Sequence, residues 1–232
     1  DIVHVPFGEL GAASAALQGA AGFLLEPIQS VGGATTASAA YMKGLEAACR
    51  KTGAILILDE VQTGLGRIGA RSAAHAFGVR PGLQTFAKAL GSGVPAGAVL
   101  AAAEVACKTK PGQLGSTFGG GPLACAAVSA TLGAISRKRL WENAAAMETL
   151  VRSTFDFPRI KEIRGMGLLL GLVLDGPSKP VREQLLAKKI IVGGADDPSV
   201  IRLMPPLTVS AAEIGLLRDA LAEILCPSTS LI

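Results

Sequence analysis

The sequence predicts an α/β fold, and three observations carry the prediction. The run Ile55–Leu58 is uniformly apolar rather than alternating and ends on Asp59 and Glu60, as a parallel strand covered on both faces does where it opens into a loop. Short apolar runs alternate with segments of helical spacing along the first half of the chain. Glycine-rich bends follow those runs, at SVGG, TGLGRIG, ALGSG and STFGGGP.

Taken in order, residues 9–20 are alanine-rich and read as a short helix, followed by a strand in AGFLLEP that stops at Glu26 and Pro27. From Ser38 to Lys51 the spacing places Tyr41, Met42, Leu45, Ala48 and Cys49 on one helical face, with Gly53 as the stop. The strand AILILD comes next, then a strand at Leu83–Phe86, a glycine bend and a strand over Ala96–Ala101, with a helix from Ala102. The segment from Leu123 to Ser153 has helical periodicity throughout and reads as one spine linking two regions. A second unit begins near residue 150, with EIRGMGLLLGLVL, a helix around Pro180–Lys189, IIVGG, VIRLMPP and a final helix whose SAAE start is a capping box. The expected domains are therefore 1–149, including the linking helix, and 150–232, a small α+β or α/β domain.

Composition narrows the function. Half of the 232 residues are apolar, mean hydropathy is +0.46 and 17% are charged, so the chain folds rather than staying disordered. The net charge of +4 is scattered and forms no basic cluster interleaved with aromatics, which leaves nucleic-acid binding without support. Cys49, Cys107, Cys125 and Cys226 share no zinc-ligand spacing with each other or with His4 and His75, so no metal site is expected. Cys49 and Cys125 read as small buried apolar residues of a reducing compartment. The uncharged stretch Pro111–Ser136 is broken by glycine and proline in its first half, and what remains is too short for a bilayer. With no signal sequence visible, a cytoplasmic protein is expected.

Several residues have chemical potential. Asp59 sits where ligands gather in open parallel sheets, beyond the carboxyl end of a strand; it reads equally as a structural carboxylate capping the TGLGR turn. Glu60 faces the other way by strand alternation and is the poorer ligand candidate. Lys88 is the one charge in a 16-residue run from Gln84 to Val99, a setting that disfavours the ammonium and sharpens the amine as a nucleophile, unless the side chain reaches out to solvent. GQLGSTFGGGP offers the hydroxyls of Ser116 and Thr117 and free backbone N–H groups, the means of holding a phosphate, or is simply a turn. Arg202, between Ile201 and Leu203, either extends to solvent or presents its planar fork to a carboxylate. Arg67 and Arg164 stand beside glycines and read as loop-fixing, and Trp141 reads as packing.

Together, EPIQ, LILDEVQTGLGRIG, TFAKALGSGVPAGAVL, STFGGGPLACAA, RGMGLLLG and IRLMPPLTVS resemble, in order and over nearly the whole chain, the class III, fold type I aminotransferases that use pyridoxal 5′-phosphate. The resemblance implies the C-terminal part of that fold: a partial, mostly parallel sheet of the large domain and a small C-terminal domain. It implies that Lys88 links covalently to the cofactor and moves a proton between substrate and cofactor carbons. Asp59 would pair with the pyridine nitrogen, Gln62 would lie beside the phenolic oxygen, Thr117 and the adjacent Ser116 would meet the phosphate of a neighbouring subunit, and Arg202 would take the substrate carboxylate. The implied reaction moves an amino group from an ornithine-like or other ω-amino donor to a 2-oxo acid, in a homodimer with shared active sites.

The sequence departs from the family pattern. It reads EPIQSVGG where many acetylornithine and ornithine aminotransferases read EPIQGEGG, so Val31 replaces a glutamate that pairs with the arginine when no substrate is held. Gly121 stands where asparagine is usual and Gly82 where aspartate is usual. Parts of the chain also resemble 2,2-dialkylglycine decarboxylase, the alternative reading, although STFGGGP is closer to the transaminases. A third reading, a non-catalytic relative keeping the fold, leaves the joint presence of Lys88, Asp59, Gln62, Thr117 and Arg202 without a reason. No phosphate loop or ring-stacking aromatic precedes Glu26, so the chain is expected to be a fragment, inactive by itself.

Overall fold

In the computed structural model, which describes residues 1–226, the elements run α1 (Leu10–Ala16), β1 (Gly22–Leu25), β2 (Ile28–Gln29), β3 (Thr35–Thr36), α2 (Ala39–Thr52) and β4 (Ile55–Asp59). They continue with α3 (Ala73–Phe77), β5 (Leu83–Phe86), a 3-10 turn (Lys88–Gly91), β6 (Ala98–Ala101), α4 (Ala103–Ala106), α5 (Pro122–Arg137) and α6 (Leu140–Thr154). The remainder is β7 (Ile160–Met166), β8 (Leu169–Leu174), α7 (Lys179–Ala187), β9 (Gly193–Gly194), β10 (Val200–Leu203) and α8 (Ala211–Leu225). Two compact units result: residues 1–27, 37–65 and 71–138, and residues 28–36, 66–70 and 139–226.

The first unit is built on a sheet of order β1-β4-β5-β6, in which β1, β4 and β5 are parallel and β6 runs antiparallel at the edge. Ser38 caps α2 by accepting from the Tyr41 N–H, and Gly53 ends it with φ 77°, a left-handed stop that glycine adopts without strain. Met42, Leu45 and Cys49 of α2 are buried, and so are Leu56 and Leu58 of β4. The opposite face of β4, carrying Ile55, Ile57 and Asp59, is only half covered, a difference from the fully covered strand that the apolar run predicts. Every residue of β6 is exposed, with Val99 and Leu100 more than half accessible.

The second unit carries a sheet of order β7-β8-β10-β9 in which every pairing is antiparallel, and the small β2-β3 ladder. Leu170, Leu172, Ile201 and Leu203 from the strands meet Val151 of α6 and Leu221 of α8 in one core. Each such side chain stabilises the unit by about 1.5–3 kcal/mol on burial. The capping box at Ser210 and Glu213 is formed as the sequence predicts. The expected single spine is instead two helices: Arg139 takes φ 47°, which breaks the hydrogen-bond ladder between α5 and α6. Helix α3 and the β2-β3 ladder are too short to leave a periodic signal. Among the described residues no helix is long and apolar enough to cross a membrane, and no cluster of ligand residues could hold a metal.

Candidate active site

Asp59 and Thr85 are register partners on the parallel strands β4 and β5, and Lys88 follows three residues beyond Thr85. The sheet therefore brings Asp59 and the start of the Lys88 turn to the same end, the carboxyl ends of adjacent strands. Asp59 Oδ1 accepts from the Val61 N–H at 3.0 Å and from Thr85 Oγ1 at 3.2 Å, which leaves Oδ2 as its open acceptor among the described residues. No lysine or arginine among the described residues forms an ion pair with it.

Glu60 turns to the opposite face and is 1% exposed. Its carboxylate accepts from the N–H groups of Ala73 at 2.5 Å and Ala74 at 3.0 Å, from Gln84 Nε2 at 2.8 Å and from Thr63 Oγ1 at 3.3 Å. Four donors offset the cost of burying a carboxylate that has no cationic partner. They also fasten both ends of the loop that carries Gln62, which is half-buried.

Lys88 opens the 3-10 turn with φ 47° and is exposed, and no carboxylate among the described residues pairs with it. A non-glycine residue in the left-handed region costs about 1–2 kcal/mol, a strain that recurs at functional sites. Ser116 and Thr117 lie in the fully exposed stretch 111–120; Ser116 Oγ accepts from the Gly119 N–H at 3.0 Å, and Gly121 caps α5 with no side-chain hydrogen bond. Here the usual asparagine would have had a capping role that glycine fills only through its backbone.

Arg202 belongs to the second unit, on β10. Its Nε donates to the Gly194 carbonyl at 2.5 Å and its Nη1 to Ser30 Oγ at 3.0 Å. It lines a cavity of about 470 Å³ whose other charged wall residue is Glu213 and whose remainder is mostly apolar. Hydrogen bonds from Ser210 hold the Glu213 carboxyl below its ordinary pKa. Val31 is 46% exposed, and Arg202 forms no ion pair with a carboxylate among the described residues.

Arg67 fixes a loop, donating from Nη1 to the carbonyls of Leu168 at 3.2 Å and Pro205 at 2.5 Å, and burial pushes its pKa down. Arg164 pairs with Glu162 at 2.8 Å and Asp197 at 3.5 Å. Cys49 is buried as expected, but Cys125 is exposed, on a helix α5 in which Ile135 alone is buried. Thr85 and Ser30, which touch Asp59 and Arg202, escape a reading of the sequence because a hydroxyl on a strand or turn carries no motif.

Residues 8–225 match the profile of the family described as aminotransferase class-III. The chain belongs to that family. It is 39% identical over 228 residues to the acetylornithine aminotransferase of Methanothermobacter thermautotrophicus, a match spanning 96% of this chain and 58% of the relative. It is 39% identical over 218 residues to the ornithine aminotransferase of Bacillus cereus, covering 92% of this chain and 55% of that one. Among solved structures, Plasmodium falciparum ornithine delta-aminotransferase superposes with a TM-score of 0.86 at 30% identity, over 96% of this chain and 61% of its own. An acetylornithine aminotransferase from Elizabethkingia anophelis gives 0.88 at 30% identity, over 96% and 59%. The chain thus spans somewhat over half the length of the relatives it matches. The α/β architecture read from the sequence agrees with this fold type I likeness, and pyridoxal 5′-phosphate is the cofactor that goes with the family.

Proposed function

We propose that this class III aminotransferase chain serves pyridoxal 5′-phosphate-dependent transfer of an amino group from an ornithine-like or other ω-amino donor to a 2-oxo acid. In this reading residues 1–149 are part of the cofactor-binding domain and 150–232 the small domain. The observation that carries it is the pairing of Asp59 with Thr85 at the carboxyl ends of β4 and β5, beyond which Lys88 begins its strained turn.

The donor set suits the cofactor. Asp59, tethered through Oδ1, keeps Oδ2 for a protonated ring nitrogen, and a carboxylate there holds the proton on. Gln62 offers an amide to the phenolic oxygen. Lys88, free of any described carboxylate, serves as covalent anchor and as the base and acid that moves the substrate proton. Ser116 and Thr117 offer hydroxyls to a phosphate, in the partner subunit of a homodimer. Bound pyridoxal 5′-phosphate supplies an aldehyde that captures amines and a ring that accepts electrons when a bond to the donor carbon breaks. Arg202 takes the substrate carboxylate. Four free thiols suit a cytoplasmic setting.

The exposed strand β6 and the exposed side chains of Leu24, Leu114, Phe118 and Leu123 form apolar surface that further polypeptide would cover, so turnover is expected to require more than these 232 residues. The test is to assay the chain alone and mixed with the N-terminal portion of an acetylornithine aminotransferase, using ornithine with 2-oxoglutarate and 2-aminoisobutyrate with pyruvate. Amino transfer in the mixture, lost with Lys88→Ala, supports the reading. Carbon dioxide released from 2-aminoisobutyrate favours the decarboxylase instead, and transfer that survives Lys88→Ala contradicts both.

A further inference from the structure

Ser30 is 0% exposed, and its hydroxyl is engaged both ways: Oγ accepts from Arg202 Nη1 at 3.0 Å and donates to Met204 Sδ at 3.7 Å. The turn that carries it is fixed independently of that contact. The Ser30 carbonyl accepts from the N–H groups of Gly33 at 3.3 Å and Ala34 at 3.2 Å, and Val31 O accepts from the Asp196 N–H at 2.9 Å. Gly33 and Ala34 both take positive φ, 99° and 58°, so the backbone is committed to this tight form. On its other side Arg202 is tied by Nε to the Gly194 carbonyl at 2.5 Å.

The guanidinium thus rests between a hydroxyl and a carbonyl, both neutral. Two of its five donors are used, and no ion pair among the described residues joins it to a carboxylate, Glu213 lining the same cavity without pairing with it. Both N–H groups of Nη2 and one of Nη1 have no hydrogen-bond partner among the described residues, and a guanidinium with such donors to spare can meet a carboxylate. We propose that Ser30 is a positioning residue that holds Arg202 in this neutral cradle, so that its remaining N–H groups stand ready for a substrate carboxylate without first releasing an internal one. The inference rests on the reading of Arg202 as the carboxylate-binding residue.

The experiment follows the Arg202 Nε–H and Nη signals in ¹H–¹⁵N spectra of the ¹⁵N-arginine-labelled chain, assigned by their loss in Arg202→Lys, during titration with 2-oxoglutarate. The wild-type signals shift saturably. Ser30→Ala keeps the thermal unfolding transition but binds about five-fold more weakly, the effect of one charge-assisted hydrogen bond used to orient a fork, and Ser30→Thr, which keeps the hydroxyl, recovers most of the affinity. Ser30→Ala that binds as tightly as wild type overturns the inference and leaves the reading of Arg202 intact. A wild-type chain whose Arg202 signals do not respond contradicts that reading and takes the inference with it.

Discussion

Thr85 Oγ1 donates a hydrogen bond to Asp59 Oδ1 at 3.2 Å across a parallel strand pair in which the two are register partners. Because Val61 N–H bonds the same oxygen, the carboxylate is held at one end and open at the other. Asp59→Asn keeps an acceptor for both donors, so folding stability changes little, whereas retention of pyridoxal 5′-phosphate in an absorbance titration falls roughly 10- to 100-fold with the charge-assisted bond. Thr85→Val, which removes only the tether, weakens retention by about five-fold.

Glu60 gives the opposite pattern. Glu60→Ala strands the N–H groups of Ala73 and Ala74 and the Gln84 amide in a buried setting, and costs about 3 kcal/mol or more of folding stability in urea unfolding. Glu60→Gln, which keeps one acceptor oxygen but brings an amide toward other donors, falls between the two.

Gly167 has φ 57°, and a Cβ built on it would stand 2.4 Å from the Gly69 nitrogen and 2.5 Å from the Arg67 carbonyl oxygen. Its own N–H donates to Glu148 Oε2 at 2.5 Å. Since these obstacles are backbone, Gly167→Ala is expected to cost about 3 kcal/mol or more, measured as a fall in the denaturation midpoint.

The Ser199 hydroxyl, at 2.6 Å, and its N–H, at 3.0 Å, lower the pKa of Asp197, with a smaller contribution from Arg164. A depressed folded-state pKa adds stability above the unfolded value, near pH 4, which is lost as pH falls through the folded value. Ser199→Ala raises the folded pKa toward the unfolded one. Its stability is therefore lower at neutral pH and flatter below about pH 4 than that of wild type, as urea unfolding across pH would record.

Burial raises the Cys49 thiol pKa and leaves it 2% exposed, while Cys107, Cys125 and Cys226 are exposed. Alkylation followed by mass spectrometry should modify those three under native conditions and reach Cys49 only on unfolding.

Much of this molecule is legible in its sequence because the signals are local. Gly53 and the SAAE box announce their helix ends, and the run into Asp59 announces a strand's carboxyl end. Asp59 and Glu60 separate because strand alternation sends adjacent side chains to opposite faces. What could not be read is either one backbone angle without a residue signal or a contact distant in sequence. The break at Arg139 is a single backbone angle inside an unbroken helical pattern. Thr85 lies 26 residues from Asp59, and Ser30 lies 172 residues from Arg202, so only folding reveals that each hydroxyl meets its partner.

The proposed function requires Lys88 and Asp59 to serve one cofactor site. Because pyridoxal 5′-phosphate reacts with any accessible lysine, the most direct measurement is competition within the chain: brief exposure to substoichiometric cofactor, borohydride reduction, and peptide mapping by mass spectrometry. The label is expected to concentrate on Lys88, and Asp59→Asn to reduce it sharply there. Label spread evenly over the surface lysines, or Lys88 labelling indifferent to Asp59→Asn, would mean that the two residues do not share a cofactor site.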